Sequence, residues 1–317
     1  MKIPGSRRIF GPVPSRRLGA SLGVDVIPPK TCTFDCVYCE CGETTVKTCE
    51  RRKFCPAADI LADLEAHLSR MTEKPDVITL SGSGEPTLYS PMGELIDGIK
   101  RLAALPVAVI TNSSLLWMPE VRDELARADI VLPSLDAAVE DAFRRINRPH
   151  ELVSLPQMID GLERFLREYR GTVLFEILLI EGYNADERNI EALKTALGRM
   201  RTDKIQLNTA VRPGTERDIE PLDDISMRRI RERFGPRCEI IASARTTRRH
   251  HEEIDIEEAI LSLLERRPCT TEDLHRALGL SVERAESVVR RLIEAGSVVE
   301  RRVGGTAFYA APRPKRS

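Results

Sequence analysis

The sequence predicts an α/β protein: a parallel sheet within residues 1–250, followed by a small second domain in residues 251–317. Three observations lead there. Between Leu22 and Phe234, short apolar runs of strand length alternate with segments whose apolar residues recur at helical spacing. That alternation specifies parallel strands joined by right-handed crossovers. A cysteine-rich loop directly follows the first apolar run. Parallel α/β proteins place their ligands there, beyond the C-terminal ends of the strands. Near His250 the pattern changes to three short helices and a hairpin signal.

Met1–Arg17, rich in Arg, Pro and Gly, reads as an irregular lead-in. Leu22–Ile27 is the first strand, ended by Pro28 and Pro29. Ala57–Met71 is a helix because Ile60, Leu61, Leu64 and Leu68 share one face. Five more strands follow, at Asp76–Leu80, Val107–Thr111, Ile130–Leu135, Thr172–Ile180 and Lys204–Asn208. Between them fall helices at Pro91–Leu102, Pro119–Ala128, Ala137–Ile146, Ser154–Tyr169 and Asp186–Met200, with Leu222–Phe234 after the last strand. Six strands in this arrangement suit either a partial (β/α)6 barrel or an open doubly wound sheet. In the second domain, helices at Ile254–Arg266, Thr271–Leu278 and Ser281–Ala295 precede strands at Ser297–Arg302 and Thr306–Ala310. Gly304-Gly305 is the turn between those strands.

The 317 residues are 42% hydrophobic, enough to bury a sizeable core. A formal net charge of −1 gives no global attraction for a polyanion, so nucleic-acid binding would have to rest on a local patch. No long apolar run appears and the start lacks the apolar centre of a signal peptide, so a cytoplasmic location is expected. Eight cysteines, most of them in the Cys32–Cys55 stretch, then suit metal binding better than disulfides.

Thr31–Cys41 reads T-C-T-F-D-C-V-Y-C-E-C. Cys32, Cys36 and Cys39 form a C-x3-C-x2-C array, a loop length that folds three thiolates onto one side of a single centre. Iron–sulfur clusters are held by cysteine thiolates, usually four. Three would leave one iron open for chemistry. A structural zinc wants four protein ligands, so a zinc site completed by Cys41, Cys49 or Cys55 is the alternative. The same three downstream cysteines leave an auxiliary centre open, whereas Cys238 and Cys269 read as core residues and His250-His251 as a solvated pair.

A second candidate site is Ser81-Gly82-Ser83-Gly84-Glu85, immediately after the second strand. Its glycines let the backbone approach a ligand closely, and Glu85 can accept a hydrogen bond from an ammonium group. Strand ends supply Asn112, Ser134, Asp136 and Asn208, residues that also serve as caps and turns. Glu176 lies inside an apolar strand and must face a polar cavity or a cation, with Arg144, Arg145 or Arg148 as candidates.

The array, with aromatic Tyr38 just before its last cysteine, resembles the cluster motif of the radical S-adenosylmethionine (SAM) superfamily. The resemblance implies a partial (β/α)6 barrel in which Cys32, Cys36 and Cys39 bind a 4Fe–4S cluster. The open iron would bind the amino and carboxylate groups of SAM, whose reductive cleavage gives a 5′-deoxyadenosyl radical. Gly82, Gly84 and Glu85 match the glycine-rich segment that holds the SAM amino group. Tyr38 would lie near the adenine, and Asn112, Ser134 and Asn208 would contact ribose, carboxylate or adenine. A reductant such as ferredoxin or flavodoxin is implied, with RNA, a protein or a small molecule as substrate. The segments F-G-P-V-P-S-R-R-L-G-A-S-L-G, R-I-N-R-P and L-N-T-A-V-R-P are similar to a subgroup near the tRNA wybutosine-forming enzymes. Those enzymes carry further cysteines ahead of the motif, whereas here none precedes Cys32. Arg16 and Arg17 are candidate ligands for a substrate anion.

The second domain is similar to a winged helix-turn-helix. Val282, Ala285, Val289 and Leu292 form the apolar stripe of its third helix, and Arg284, Ser287 and Arg291 point outward with Arg290 nearby. Glu253–Ser317 carries eleven acidic and eleven basic residues, so the domain is neutral overall and fits protein docking as well as nucleic-acid contact. A competing function is an iron–sulfur or zinc sensing transcriptional regulator acting through the winged helix.

Overall fold

A computed structural model of the chain describes residues 8–15, 17–216, 219–241 and 256–312. Strand β1 (Ile9–Ser15) turns back on β2 (Gly19–Val24), and the cysteine loop that follows holds the short strands β3 (Thr31–Cys32) and β4 (Val46–Lys47). Next come α1 (Ala57–Leu68), β5 (Val77–Leu80), α2 (Met92–Leu102), β6 (Val107–Thr111), α3 (Pro119–Leu125) and β7 (Ile130–Pro133). Helices α4 (Glu140–Asn147) and α5 (Leu155–Glu168) lead to β8 (Thr172–Leu179), α6 (Glu187–Leu197), β9 (Lys204–Thr209), α7 (Asp224–Phe234) and β10 (Cys238–Ile240). The C-terminal module consists of α8 (Ile256–Leu264), α9 (Thr271–Leu278), α10 (Val282–Glu294), β11 (Val299–Val303) and β12 (Thr306–Ala310). Arg16, His250-His251, the expected boundary near residue 250 and the last basic residues lie outside the described residues.

The main sheet has the order β1-β2-β5-β6-β7-β8-β9-β10. Strand β1 is antiparallel to β2, and every other pair is parallel. A doubly wound sheet reverses its strand order at a switch point. This order never reverses, so the right-handed crossovers carry the helices to one face and leave the other as an interior. Two apolar layers follow. On the helix side, Ile60 and Leu64 of α1 and Leu95, Ile96 and Ile99 of α2 are buried with Ile78, Leu80, Val107 and Val109. On the inner side, Val77, Ala108, Leu132 and Leu174 form a smaller cluster with Ile110 and Ile130. Strand side chains alternate between faces. The inner face therefore continues along the strands through Thr79, Ser81, Asn112, Ser134, Glu176 and Asn208. It is apolar at the start of the strands and polar toward their C-terminal ends.

The main sheet holds two strands beyond the six expected. The lead-in is not irregular: Ile9–Ser15 pairs with β2 at the sheet edge, where a strand tolerates Pro12 and Pro14. At the other edge, three residues of β10 pair with β9.

The module has its own core of Ile260, Leu264, Leu274, Ala285, Val288, Val289 and Leu292, and Val13 of β1 packs against it. Helix α9 starts with a capping box between Thr270 and Asp273 and stops at Gly279, which is left-handed (φ 66°). Helix α10 is capped by Ser281. Arg284, Ser287, Arg290 and Arg291 are exposed, as the periodicity predicts. A bridge between Cys269 and Tyr309 ties the start of α9 to the hairpin. Among the described residues, no helix is long and apolar enough to cross a membrane.

Candidate functional site

The cysteine loop sits at the polar end of the inner face, and the glycine-rich turn after β5 packs directly beneath it. A Cβ on Gly84 would lie 1.8 Å from the Thr31 carbonyl oxygen, and one on Gly82 would lie 2.2 Å from the Asp25 carboxylate carbon. Both glycines are therefore required by close approach, independently of any ligand. The Lys30 and Glu85 N–H groups donate to the Ser83 and Thr31 carbonyls at 2.9 and 3.3 Å, stitching the two loops together.

Glu85 is 2% exposed. Its Oε1 accepts from the Thr87 N–H at 3.1 Å, the Thr87 hydroxyl at 2.6 Å and the Thr111 hydroxyl at 2.7 Å. Its Oε2 accepts from the Asn112 N–H at 2.8 Å. A carboxylate offers about four acceptor positions. Glu85 meets three donors at Oε1 and one at Oε2, so this side chain clamps the glycine-rich turn to the end of β6 and keeps one Oε2 position open to a further donor. Burial pushes its pKa up, and the Thr87, Asn112 and Thr111 donors only partly offset that.

Asn112 extends the clamp to the cysteines. Its side-chain amide donates to the Thr33 hydroxyl at 2.8 Å and points at the Cys32 sulfur at 3.6 Å. Asn147, the last residue of α4, points its amide at the Cys36 sulfur at 3.4 Å and donates to Asp136 at 2.8 Å. Asp136 is 3% exposed. It also accepts from the Tyr38 hydroxyl and from the Leu178 N–H, which fixes the ring of Tyr38 against the end of β7. Asn184 and Asn189 hold the Asp136 carbonyl from behind at 2.8 and 3.3 Å. Asn184 and Asn189 carry no motif in the sequence. Asn147 lies in the R-I-N-R-P segment, and only its placement at a helix end, one residue before left-handed Arg148 (φ 44°), marks it.

Burial, then Glu85, pushes the Cys32 thiol up to about 12. Burial, then Asp136, pushes the Cys36 thiol well up. Cys39 is different: the Cys41 thiol donating to it, and the nearby Lys30 ammonium, bring it down to about 7 against the effect of burial. Buried thiols of this kind ionise when a metal centre replaces the missing solvation, and amide N–H groups aimed at sulfur suit thiolates. Among the described residues, no three His, Cys, Asp or Glu side chains gather closely enough to hold a single metal ion. Cys32, Cys36 and Cys39 nonetheless lie near enough that Cys32 feels the charge of Cys39, and Cys36 that of both. This donor set fits a thiolate-ligated cluster. Cys49 and Cys55 are buried in the main core and Cys41 lies against the Arg266 carbonyl at 3.2 Å, so these three do not converge.

Glu176 faces inward, as an acid in an apolar strand must. Its partner is Arg17, at 2.5 Å, with the Asn208 amide on its other oxygen at 3.0 Å. The arginines of the α4 region are not its partners. Arg144 bonds Glu140, Arg145 the Tyr183 carbonyl, and Arg148 Glu216. They belong to a helix whose end packs against the cysteine loop, and their side chains are engaged elsewhere. Ser134 bridges to Glu176 on the neighbouring strand, so Ser134, Glu176 and Asn208 form one polar row.

The Radical SAM superfamily model matches residues 26–193. Among curated proteins, the chain is 33% identical over 308 residues to a protein named GTPase Obg from Brachyspira hyodysenteriae, covering 96% of this chain and 45% of that protein. It is 38% identical over 213 residues to a UPF0026 protein of Methanocaldococcus jannaschii, covering 67% of this chain and 66% of that one. The chain thus spans about half to two thirds of the length of these two relatives. Among solved structures, a radical SAM methyltransferase from Sphaerobacter thermophilus shares the fold with a TM-score of 0.53 at 19% identity, covering 69% of this chain and 65% of that one. With a family match across the cysteine array, the glycine-rich turn and strands β5 to β8, the chain belongs to the radical SAM superfamily, whose members use a 4Fe–4S cluster and SAM.

Proposed function

We propose that this protein is a radical SAM enzyme with Cys32, Cys36 and Cys39 as its cluster ligands. The cluster and SAM together supply reductive cleavage to methionine and a 5′-deoxyadenosyl radical, which takes a hydrogen atom from the substrate. The observation that carries the reading is the clamp: Glu85 and Asn112 lock the cysteine loop, the glycine-rich turn and the end of β6 into one unit. Asn112 and Asn147 donate toward the sulfurs of Cys32 and Cys36 and tune them. Gly82, Gly84 and Glu85 hold the methionine end of SAM, and Glu85 also positions the turn through its bonds to Thr87, Thr111 and Asn112. Tyr38, held by Asp136, lies on the adenine side, and Ser134 and Asn208 supply polar contacts to the rest of SAM. The inner face excludes water from the radical.

The same reading takes residues 256–312 as a winged helix-turn-helix, supported by the Cys269–Tyr309 bridge to its hairpin. The boundary near residue 250, a cytoplasmic location and a ferredoxin- or flavodoxin-like reductant belong to the same reading. The substrate is RNA, a protein or a small molecule; the wybutosine-like segments point first to tRNA among the macromolecules. A regulator using the cysteines as a sensor is not favoured, because it has no need of the Glu85 clamp or the inward polar row.

The test is anaerobic reconstitution with iron and sulfide, followed by dithionite and SAM. We expect 5′-deoxyadenosine from the wild type and none from the Cys32/Cys36/Cys39→Ala triple variant. A reduced, intact cluster that never cleaves SAM, with any candidate substrate present, overturns the reading.

A further inference from the structure

The C-terminal module does not stand apart from the sheet. It walls one side of an open cavity of about 440 Å³ against the inner face. Thr79, Ser81 and Asn208 line one wall, and α8, α9 and their connection line the other. Ser81 and Asn208 also belong to the candidate SAM site, so the cavity opens onto it.

The cavity is rich in hydrogen-bond donors. Arg17 from the β1–β2 turn, Arg212 from the segment after β9, and Arg266, Arg267 and Arg276 from the module all line it. Among the described residues, the carboxylates in the lining are Glu272 and Asp273. Each guanidinium carries five N–H donors. Arg17 commits Nη1 to Glu176, and Arg276 commits Nη2 to Glu272. Arg212 spans from Glu40 to Asp273 with two long contacts of 3.4 Å each. The buried Nε atoms of Arg212 and Arg276 have no acceptor among the described residues. Arg267 makes no ion pair among the described residues. Buried N–H groups of charged side chains are costly when unmet. Planar guanidinium forks match carboxylate and phosphate oxygens.

We infer that this cavity is the substrate chamber, and that it takes a small molecule bearing a phosphate or carboxylate group. Arg212, Arg267 and Arg276 bind the oxyanion, and the module contributes two of these three. Its volume fits a metabolite-sized ligand rather than a folded macromolecule. The inference deepens the enzymatic reading and rests on it for the word substrate. The donor-rich chamber itself depends only on the residues named.

The test is calorimetric titration of the full chain with inorganic pyrophosphate and, separately, with citrate at matched ionic strength. We expect one equivalent of at least one anion to bind the wild type, the tighter of the two identifying the oxyanion. Arg212→Gln/Arg276→Gln should weaken it at least tenfold, and Arg267→Gln, which breaks no ion pair among the described residues, at least threefold. Arg164→Gln, exposed on α5, should change nothing. SAM binding by equilibrium dialysis should persist in all variants. No saturable binding of either anion to the wild type overturns the inference, as does an unchanged affinity in Arg267→Gln. If the double variant fails to fold, Arg267→Gln alone decides. Anion binding without SAM cleavage would count against the enzymatic reading only, and SAM cleavage without anion binding against the chamber only.

Discussion

Glu85 carries both the stability and the geometry of the site. Its carboxylate is surrounded by donors yet buried, and the net effect is a pKa above the usual glutamate value of 4.5. A carboxyl whose folded pKa exceeds its unfolded one favours the folded state most below the unfolded value. That contribution is lost as the pH rises through the folded pKa. Glu85→Gln abolishes this dependence and replaces one acceptor by a donor facing donors. We expect it to lower stability by about 1–3 kcal/mol at pH 7 in urea denaturation. The gap between wild type and variant should widen as the pH falls toward 4.5. Asn147→Ala removes the amide aimed at Cys36. The reconstituted variant should keep its cluster but show a shifted midpoint potential in a redox titration followed by electron paramagnetic resonance. The cysteines and Glu85 are legible in the sequence because their spacing is local. Asn147, Asn184 and Asn189 are not, because they meet Asp136 only after the crossovers bring α4, α6 and β7 together. Arg17 as the partner of Glu176 is hidden for a similar reason, since the β1–β2 turn that carries it lies 159 residues away in the chain.

Among the elements, the turn after β5 is the most constrained. Gly84→Ala places a methyl group into the Thr31 carbonyl, a backbone atom with little freedom to retreat. We expect the variant to fold but to load markedly less cluster, read as iron and sulfide content and the 400 nm absorbance after reconstitution. Helices and central strands were legible because their periodicity is regular and their sides are buried. Strand β1 was not, since its prolines and glycine mimic a loop and only an edge position accommodates them. Strand β10 is too short to leave a pattern.

The relation between sheet and module is a property of the whole molecule. Arg266 reaches from the end of the module's first helix to Asp25 at 3.1 Å, with its guanidinium 3.8 Å from the Phe10 ring centroid. Both ion-pair partners are largely buried, at 13% and 10% side-chain exposure. Arg266→Ala leaves Asp25 without this partner and should cost roughly 3 kcal/mol of docking. Hydrogen exchange should then rise in β1 and α9 while α2 and α5 stay protected. Asp273 adds a pH limit. Burial raises its pKa, but Arg212, the Thr270 donors and Arg267 outweigh it and the net shift is downward. Its contribution is therefore present above the usual aspartate value of 3.8 and lost as the pH falls through the lower folded value. Acidification through that range should release the module before the sheet melts, seen as an early step in near-ultraviolet circular dichroism. No local pattern announces this contact, because each of its pairs joins residues far apart in the chain.

The Cys41 thiol touches both the cysteine array and the module, lying beside Cys39 and against the Arg266 carbonyl. Two events share that one side chain: filling of the array and seating of the module. Linkage makes such a relation reciprocal, so whatever factor a seated module adds to the affinity for iron, a filled array adds to the seating of the module. Cofactor status would thereby be readable in how firmly the module sits on the sheet.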